Sequence, residues 1–322
     1  MVDGSLANLS DTLFWVTLVF YAMSMVTYFV AFAYRKRPVS TAATVLAVCG
    51  VAVHIGSVAS RGLAAHRVPW GNMYEYSSMI ALLLVLGYLI VVDGRFKLRE
   101  TGGFAMALAL VTLAFARKLY APAGPLVPAL NSYWIKIHVI SAITASSIFS
   151  IAFIFTVLYL IKDRVERRAA AAPVGGSTVG AAYAGPAVEE KEGFPADYLG
   201  SEADPQRREG GGGGFWARLP SAERFDTLAF RAHAIAFPIW TFAVIAGAIW
   251  ASKAWGRYWG WDPKETWAFI TWVIYAGYLH ARATAGWRGR RAALVASAGF
   301  VSLWITYYVV NLWIVGLHSY AK

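Results

Sequence analysis

The 322-residue chain is 58% hydrophobic and 15% charged, with a mean hydropathy of +0.50, values outside the range of ordinary soluble domains. Its net charge of +11 is spread over short segments beside apolar runs, not gathered on one polar face, which argues against a nucleic-acid-binding surface. A single cysteine, Cys49, rules out an internal disulfide or CxxC pair and disfavours a disulfide-transferring membrane oxidoreductase.

Runs of about 20 apolar residues, enough to cross a hydrocarbon core roughly 30 Å thick, occur near 12–34, 40–60, 73–92, 102–119, 137–161, 232–251, 266–285 and 292–317. The expected fold is all-α: a polytopic membrane bundle of about eight transmembrane helices. The first run has no basic leader, and Arg35, Lys36 and Arg37 follow it, so it reads as a span and not as a cleaved signal. Basic residues recur after the third run (Arg95, Lys97, Arg99), the fifth (Lys162, Arg164, Arg167, Arg168) and the seventh (Arg282, Arg288, Arg290, Arg291). All fall on one side, which the positive-inside rule makes cytoplasmic. Both termini are then expected outside, together with the loops near 61–72, 118–136 and 252–265.

This reading divides the chain into a five-helix part at 1–161, a cytoplasmic Gly/Ala-rich linker at 162–230 and a three-helix part at 231–322. The linker includes the glycine run Gly210–Gly214 and is too poor in large apolar residues to fold a core, so disorder is expected. Its last stretch, FWARLPSAERFDTLAFRAH, has the pattern of a short amphipathic helix on the membrane surface.

The loop 252–265 carries the densest chemistry. Trp255, Tyr258, Trp259, Trp261 and Asp262 lie within eight residues, and the segment WGRYWGWDPKETWAFITWVIYAGYLH leads into a helix closing at His280. Rings at that density suggest a flat floor for a planar conjugated ligand, and imidazole is a good iron ligand, so haem is the candidate. The alternative is an interfacial aromatic belt, which explains the enrichment but neither the order of Trp, Asp and Pro nor the Lys-Glu pair beside them. Asp262 precedes Pro263 and reads first as a helix N-cap, with proton handling as the other possibility.

The histidines sort by depth. His138 opens the fifth span and His318 follows the eighth, both on the outward face with the aromatic loop, where two imidazoles flanking a platform suit axial ligation of haem iron. Otherwise each is an interfacial histidine reaching water. His280 lies about 20 Å along its helix from Thr266, among compact neighbours Ala276, Gly277, Ala283 and Thr284, a notch for a macrocycle or a close-packed helix. His54 is a packing histidine or a second deep ligand; His66 is expected solvated, and His233 interfacial on the cytoplasmic side.

The full pattern WGxxWxWDPKETWxxxxWxxYxxxLH resembles the CcsA (ResC) type of WWD haem-handling membrane protein, from the System II cytochrome c synthase. PxxNMYE at Pro69–Glu75 and the terminal GLHSYA also resemble it; the likeness is strong from about Phe237 to Tyr320 and looser over Arg61–Met79 and Tyr133–Phe149. WWD loops also occur in System I haem proteins, but the DPKETW continuation fits the CcsA type better. The long Gly/Ala-rich insert departs from the pattern.

The resemblance implies haem b as a bound substrate, His138 and His318 as external iron ligands and catalytic positions with Asp262, and Trp255, Trp259 and Trp261 as ring contacts. It makes His280 an intramembrane ligand whose opposite ligand comes from a CcsB (ResB)-like subunit. It further implies a multi-pass location in a cell inner or plasma membrane, an extracytoplasmic haem-presenting site, apocytochrome c with a CxxCH segment as acceptor, and a thiol-reducing partner. Glu75 organises the outer site or caps a helix, and Lys118, Lys136, Arg257 and Lys264 are outward candidates for haem carboxylates. Two rivals remain: a haem transporter or chaperone without attachment, and a b-type electron carrier. The carrier would need paired deep histidines, where only His280 and His54 qualify.

Overall fold

The computed structural model describes residues 2–126, 128–171, 216, 219–314 and 316. They form helices without strands: α1 (Gly4–Tyr34), α2 (Arg37–Ala64), α3 (Met73–Gly87), α4 (Gly102–Lys118), α5 (Tyr133–Ala171), α6 (Ala222–Trp255), α7 (Pro263–Ala283) and α8 (Arg290–Trp304). α3 continues as a π-helical stretch Tyr88–Arg95, and α8 continues through a π-helical stretch Ile305–Val309 into Val310–Trp313.

Among the described residues seven helices are long and apolar enough to cross a membrane. The remaining expected span, 266–285, is α7, whose 21 residues reach about 31 Å. It is less apolar than the others because Thr266, Thr271, Gly277 and His280 interrupt it and its bulk comes from Trp and Tyr.

The chain runs as antiparallel pairs, α1 with α2, α3 with α4, α5 with α6 and α7 with α8, and α5 joins the halves by packing on α3, α6 and α8. One core cluster, including Phe14, Tyr21, Leu84, Met106 and Leu113, fills α1–α4 and runs on to Phe155 and Leu158 of α5 and Phe225 of α6; another, including Phe149, Trp240, Tyr275 and Phe300, fills α5–α8 with the outer part of α3. Helix starts follow local chemistry. The side chain of Asp3 accepts from the backbone N–H groups of Ser5 and Leu6, and that of Asn72 from Glu75, satisfying donors the helix itself leaves unpaired.

α5 extends beyond its expected span at both ends, and the segment read as a surface helix is instead the start of α6, from Ala222 onward. Asp226 in that segment pairs with Arg282 at 2.8 Å, which ties it to α7 and explains why the helix continues straight into the bundle. The helices thus reach into both ends of the expected linker, whose centre lies outside the described residues.

Candidate functional site

The three connections expected to face outward meet at one end of the bundle. Their organiser is Glu75, buried in the first turn of α3. Its carboxylate accepts from Arg61 Nε at 2.9 Å, Arg67 Nη1 at 2.7 Å, Arg67 Nη2 at 3.0 Å and the Gly71 N–H at 2.8 Å. Four donors fill its lone-pair positions. The arginines reach onward: Arg61 to the carbonyl of Ala121 and Arg67 to that of Gly124, at 2.8 Å for the latter. The loop before α3 is thereby fastened to the loop before α5. Asn72, not Glu75, caps α3.

The aromatic loop is shaped by its own backbone. Gly256 ends α6 in the left-handed conformation (φ 71°), donating its N–H to Ser252, and Trp261 is also left-handed (φ 57°). Asp262 is the N-cap of α7 and accepts from the Lys264 N–H at 3.0 Å. Glu265 completes a capping box: its Oε2 accepts from Asp262 N–H at 3.1 Å and Gly260 N–H at 2.8 Å. The Asp-Pro-Lys-Glu order therefore holds the tryptophan turn on the helix. A methyl group at Gly316 would come within 2.5 Å of Asp262 Oδ2, so Gly316 lies against the same cap.

The tryptophans do not form the expected flat floor. Trp259 and Trp261 meet edge to face (5.8 Å, 87°), Trp261 is 65% exposed, and Trp255 packs at 67° on Trp250. Ring quadrupoles favour these edge contacts over a coplanar sheet. Trp259 and Trp250 line a cavity of about 1180 Å³, counting its open mouth, whereas Trp255 and Trp261 back those rings from outside its lining.

That cavity gathers residues from all three loops and from α3, α5, α6, α7 and the continuation of α8, with Trp70, Tyr76, Trp240 and Tyr307 among its rings and His138 on α5. His138 Nδ1 donates to the carbonyl of Ala243 at 2.7 Å, which fixes the plane of the ring. Gly247 makes this possible: a methyl there would sit 2.7 Å from Nδ1 and 2.9 Å from Cε1 of the ring. An imidazole in a mostly apolar, ring-lined cavity fits a planar macrocycle with a central metal. Tyr307 enters from the π-helical stretch of α8, where the extra residue per turn rotates side chains inward, and bonds Ser146 at 2.8 Å. Gly247, Trp240, Tyr76 and Tyr307 escaped the sequence reading, since none stands in a motif; the one local signal was Gly247 in the AGA of α6.

The other histidines separate clearly. His280 is exposed on an outer stripe of α7 with Phe269, Val273 and Gly277, and Gly277 has open space before it. His54 is fully buried with both nitrogens bonded, Nδ1 to Tyr21 at 3.2 Å and Nε2 to Ser78 at 2.9 Å, which is the packing alternative. His66 is exposed, as expected for a loop residue. His233 is 0% exposed, enclosed by the rings of Phe149, Tyr275 and Tyr278. His318 lies outside the described residues. Lys264 lines the cavity, while Lys118, Lys136 and Arg257 are exposed away from its lining.

The family model for cytochrome c assembly proteins matches residues 70–318, a range that takes in His138, the cavity and the whole aromatic loop. The chain belongs to that family. It is 38% identical to the cytochrome c biogenesis protein CcsA of Gloeobacter violaceus, over 91% of this chain and 90% of the relative. It is 35% identical to the CcsA of Porphyra purpurea, over 82% of each. Among solved structures the cytochrome c haem lyase CcmF matches with a TM-score of 0.62 at 15% identity, covering 94% of this chain and 46% of the lyase. That likeness concerns the fold: the bundle of α1–α8 is shared, and the chain spans slightly under half the lyase's length. Within the cytochrome c assembly family, the chain falls with the CcsA relatives along nearly its full length.

Proposed function

We propose that this protein holds haem b as substrate in the cavity beside His138 and, with a CcsB/ResB-like membrane subunit, presents it for thioether attachment to the CxxCH segment of apocytochrome c. The observation that carries this reading is the His138 imidazole, oriented by the Ala243 carbonyl and facing a cavity walled by Trp259, Trp240 and Trp70. In the attachment each cysteine S–H adds across one vinyl C=C, forming a C–S and a C–H bond with no oxidant consumed. The thiols must arrive reduced, so a thiol-reducing partner belongs to the system. The chain's own task is positioning, which lowers a barrier by several kcal/mol when reacting groups are held in register. His318 is the second external ligand in this reading, displaced by the histidine of the substrate segment, and Asp262 acts by holding the loop at its helix cap.

His280 serves a separate, intramembrane stage. Its exposure on the open α7 stripe suits a ligand completed by a second histidine from the partner subunit, with haem arriving there before the outer cavity. The site then lies on the extracytoplasmic face of an inner or plasma membrane. His280→Ala is expected to lower the haem that copurifies with the two-subunit complex several-fold. Unchanged haem content and unchanged maturation would make His280 a lipid-facing or packing residue.

The aromatic wall supplies a further expectation. Trp259→Ala should lose about 1 kcal/mol or more of haem binding, and Trp259→Phe less, since ring area carries the contact. Trp255 and Trp261, acting through their neighbours, should give smaller losses. Haem per folded protein across these variants reads the effect; normal occupancy in all of them would remove the loop from the site. The overall reading is tested by co-expression with a CcsB-like subunit and a CxxCH reporter in cells lacking their own maturation system, scoring haem that survives denaturation. Covalent product supports a synthase subunit, whereas bound haem without product supports delivery alone.

A further inference from the structure

The cavity is chemically lopsided. Of the residues lining it, the ionisable ones are His138, Lys264, Glu265 and three tyrosines, and the rest of the wall is largely apolar. Glu265 is already engaged, since its Oε2 accepts from the backbone N–H groups of Gly260 and Asp262. Asp262 likewise accepts the Lys264 backbone N–H as a helix cap. Among the described residues no carboxylate lies within ion-pair distance of the Lys264 ammonium: the seven ion pairs formed there involve other side chains. An ammonium on the lining of an apolar cavity with no carboxylate within ion-pair distance is costly unless a ligand supplies the charge.

We infer that Lys264 is the binding partner of a haem carboxylate in this cavity, an inference that rests on the haem-presenting reading above. Haem carries both carboxylates on one edge and its vinyl groups elsewhere on the ring. A ring gripped only by aromatic contacts and an axial imidazole could turn in its own plane. One cationic pole removes that freedom and so decides which edge meets the incoming thiols. The alternative cations are excluded by position, because Lys118, Lys136 and Arg257 are exposed and do not line the cavity.

The test uses the purified full-length chain, stripped of haem and titrated with haem and with haem dimethyl ester, whose carboxylates are capped. Wild type should prefer haem over the ester by roughly tenfold or more, the range of a hydrogen bond to a charged group. Lys264→Gln should lose that preference while binding the ester as wild type does, and Lys264→Arg should retain it. A Gln variant with the wild-type preference, or one that loses ester and haem equally, would overturn the inference, the second outcome marking a packing role. Wild type that binds neither compound in a His138-dependent manner would instead sink the underlying reading, whereas His138-dependent binding with an unchanged preference would sink only the assignment of Lys264.

Discussion

Replacing His138 with glycine is expected to reduce covalent haem attachment to background, and added imidazole should restore part of it. The substitution removes the one imidazole among the described cavity residues and leaves a space of matching shape between α5 and α6, floored by Gly247 and the Ala243 carbonyl. Free imidazole entering that space meets the same carbonyl acceptor for its N–H and directs its other nitrogen into the cavity. Rescue therefore distinguishes a ligand from a packing residue, which imidazole would not replace. A Gly247→Val variant should mimic the loss with His138 intact, because the new side chain occupies the position of the imidazole. Wild-type attachment by His138→Gly without imidazole would remove the residue from the site.

The second large effect is expected at Glu75. Its carboxylate is 1% exposed between two arginines, and Glu75→Ala leaves both guanidinium groups buried without their anion. Removing one member of a buried ion cluster costs about 3–5 kcal/mol, more than replacing the whole cluster by apolar groups would. The loss falls on the clamp between the loops before α3 and α5, so Trp70 and Leu126 would leave the cavity wall and haem retention would fall along with stability. Thermal unfolding in detergent, followed beside haem retention, checks this. A variant with wild-type thermal stability and haem content would show that the arginines find other partners and that the clamp does not shape the cavity.

The parts of this architecture that were legible beforehand are those written in local pattern. Apolar runs of membrane length marked the helices, and the basic residues beside them grouped the loops of Trp70, Leu126 and Trp259, which the structure brings to one end. Asp262-Pro263 with Glu265 announced the start of α7, because capping is a matter of spacing within four residues. What stayed hidden depends on which helix faces which. Gly247 becomes a cradle only when α5 lies against α6, and Tyr307 turns inward only through the π-helical stretch of α8. The enclosure of His233 was not legible because it depends on α6 beginning more than two turns before its expected membrane entry, held there by Asp226 and Arg282. The flat aromatic floor was misread for a related reason: composition gives the number of rings but not their angles.

A cryo-EM map of the haem-loaded chain with its CcsB-like subunit tests the central claim most directly. The account predicts porphyrin density in the outer cavity, with the iron on the Nε2 side of His138 and the ring against Trp259. Density for haem confined to other parts of the complex, with this cavity collapsed or filled by lipid, would contradict it.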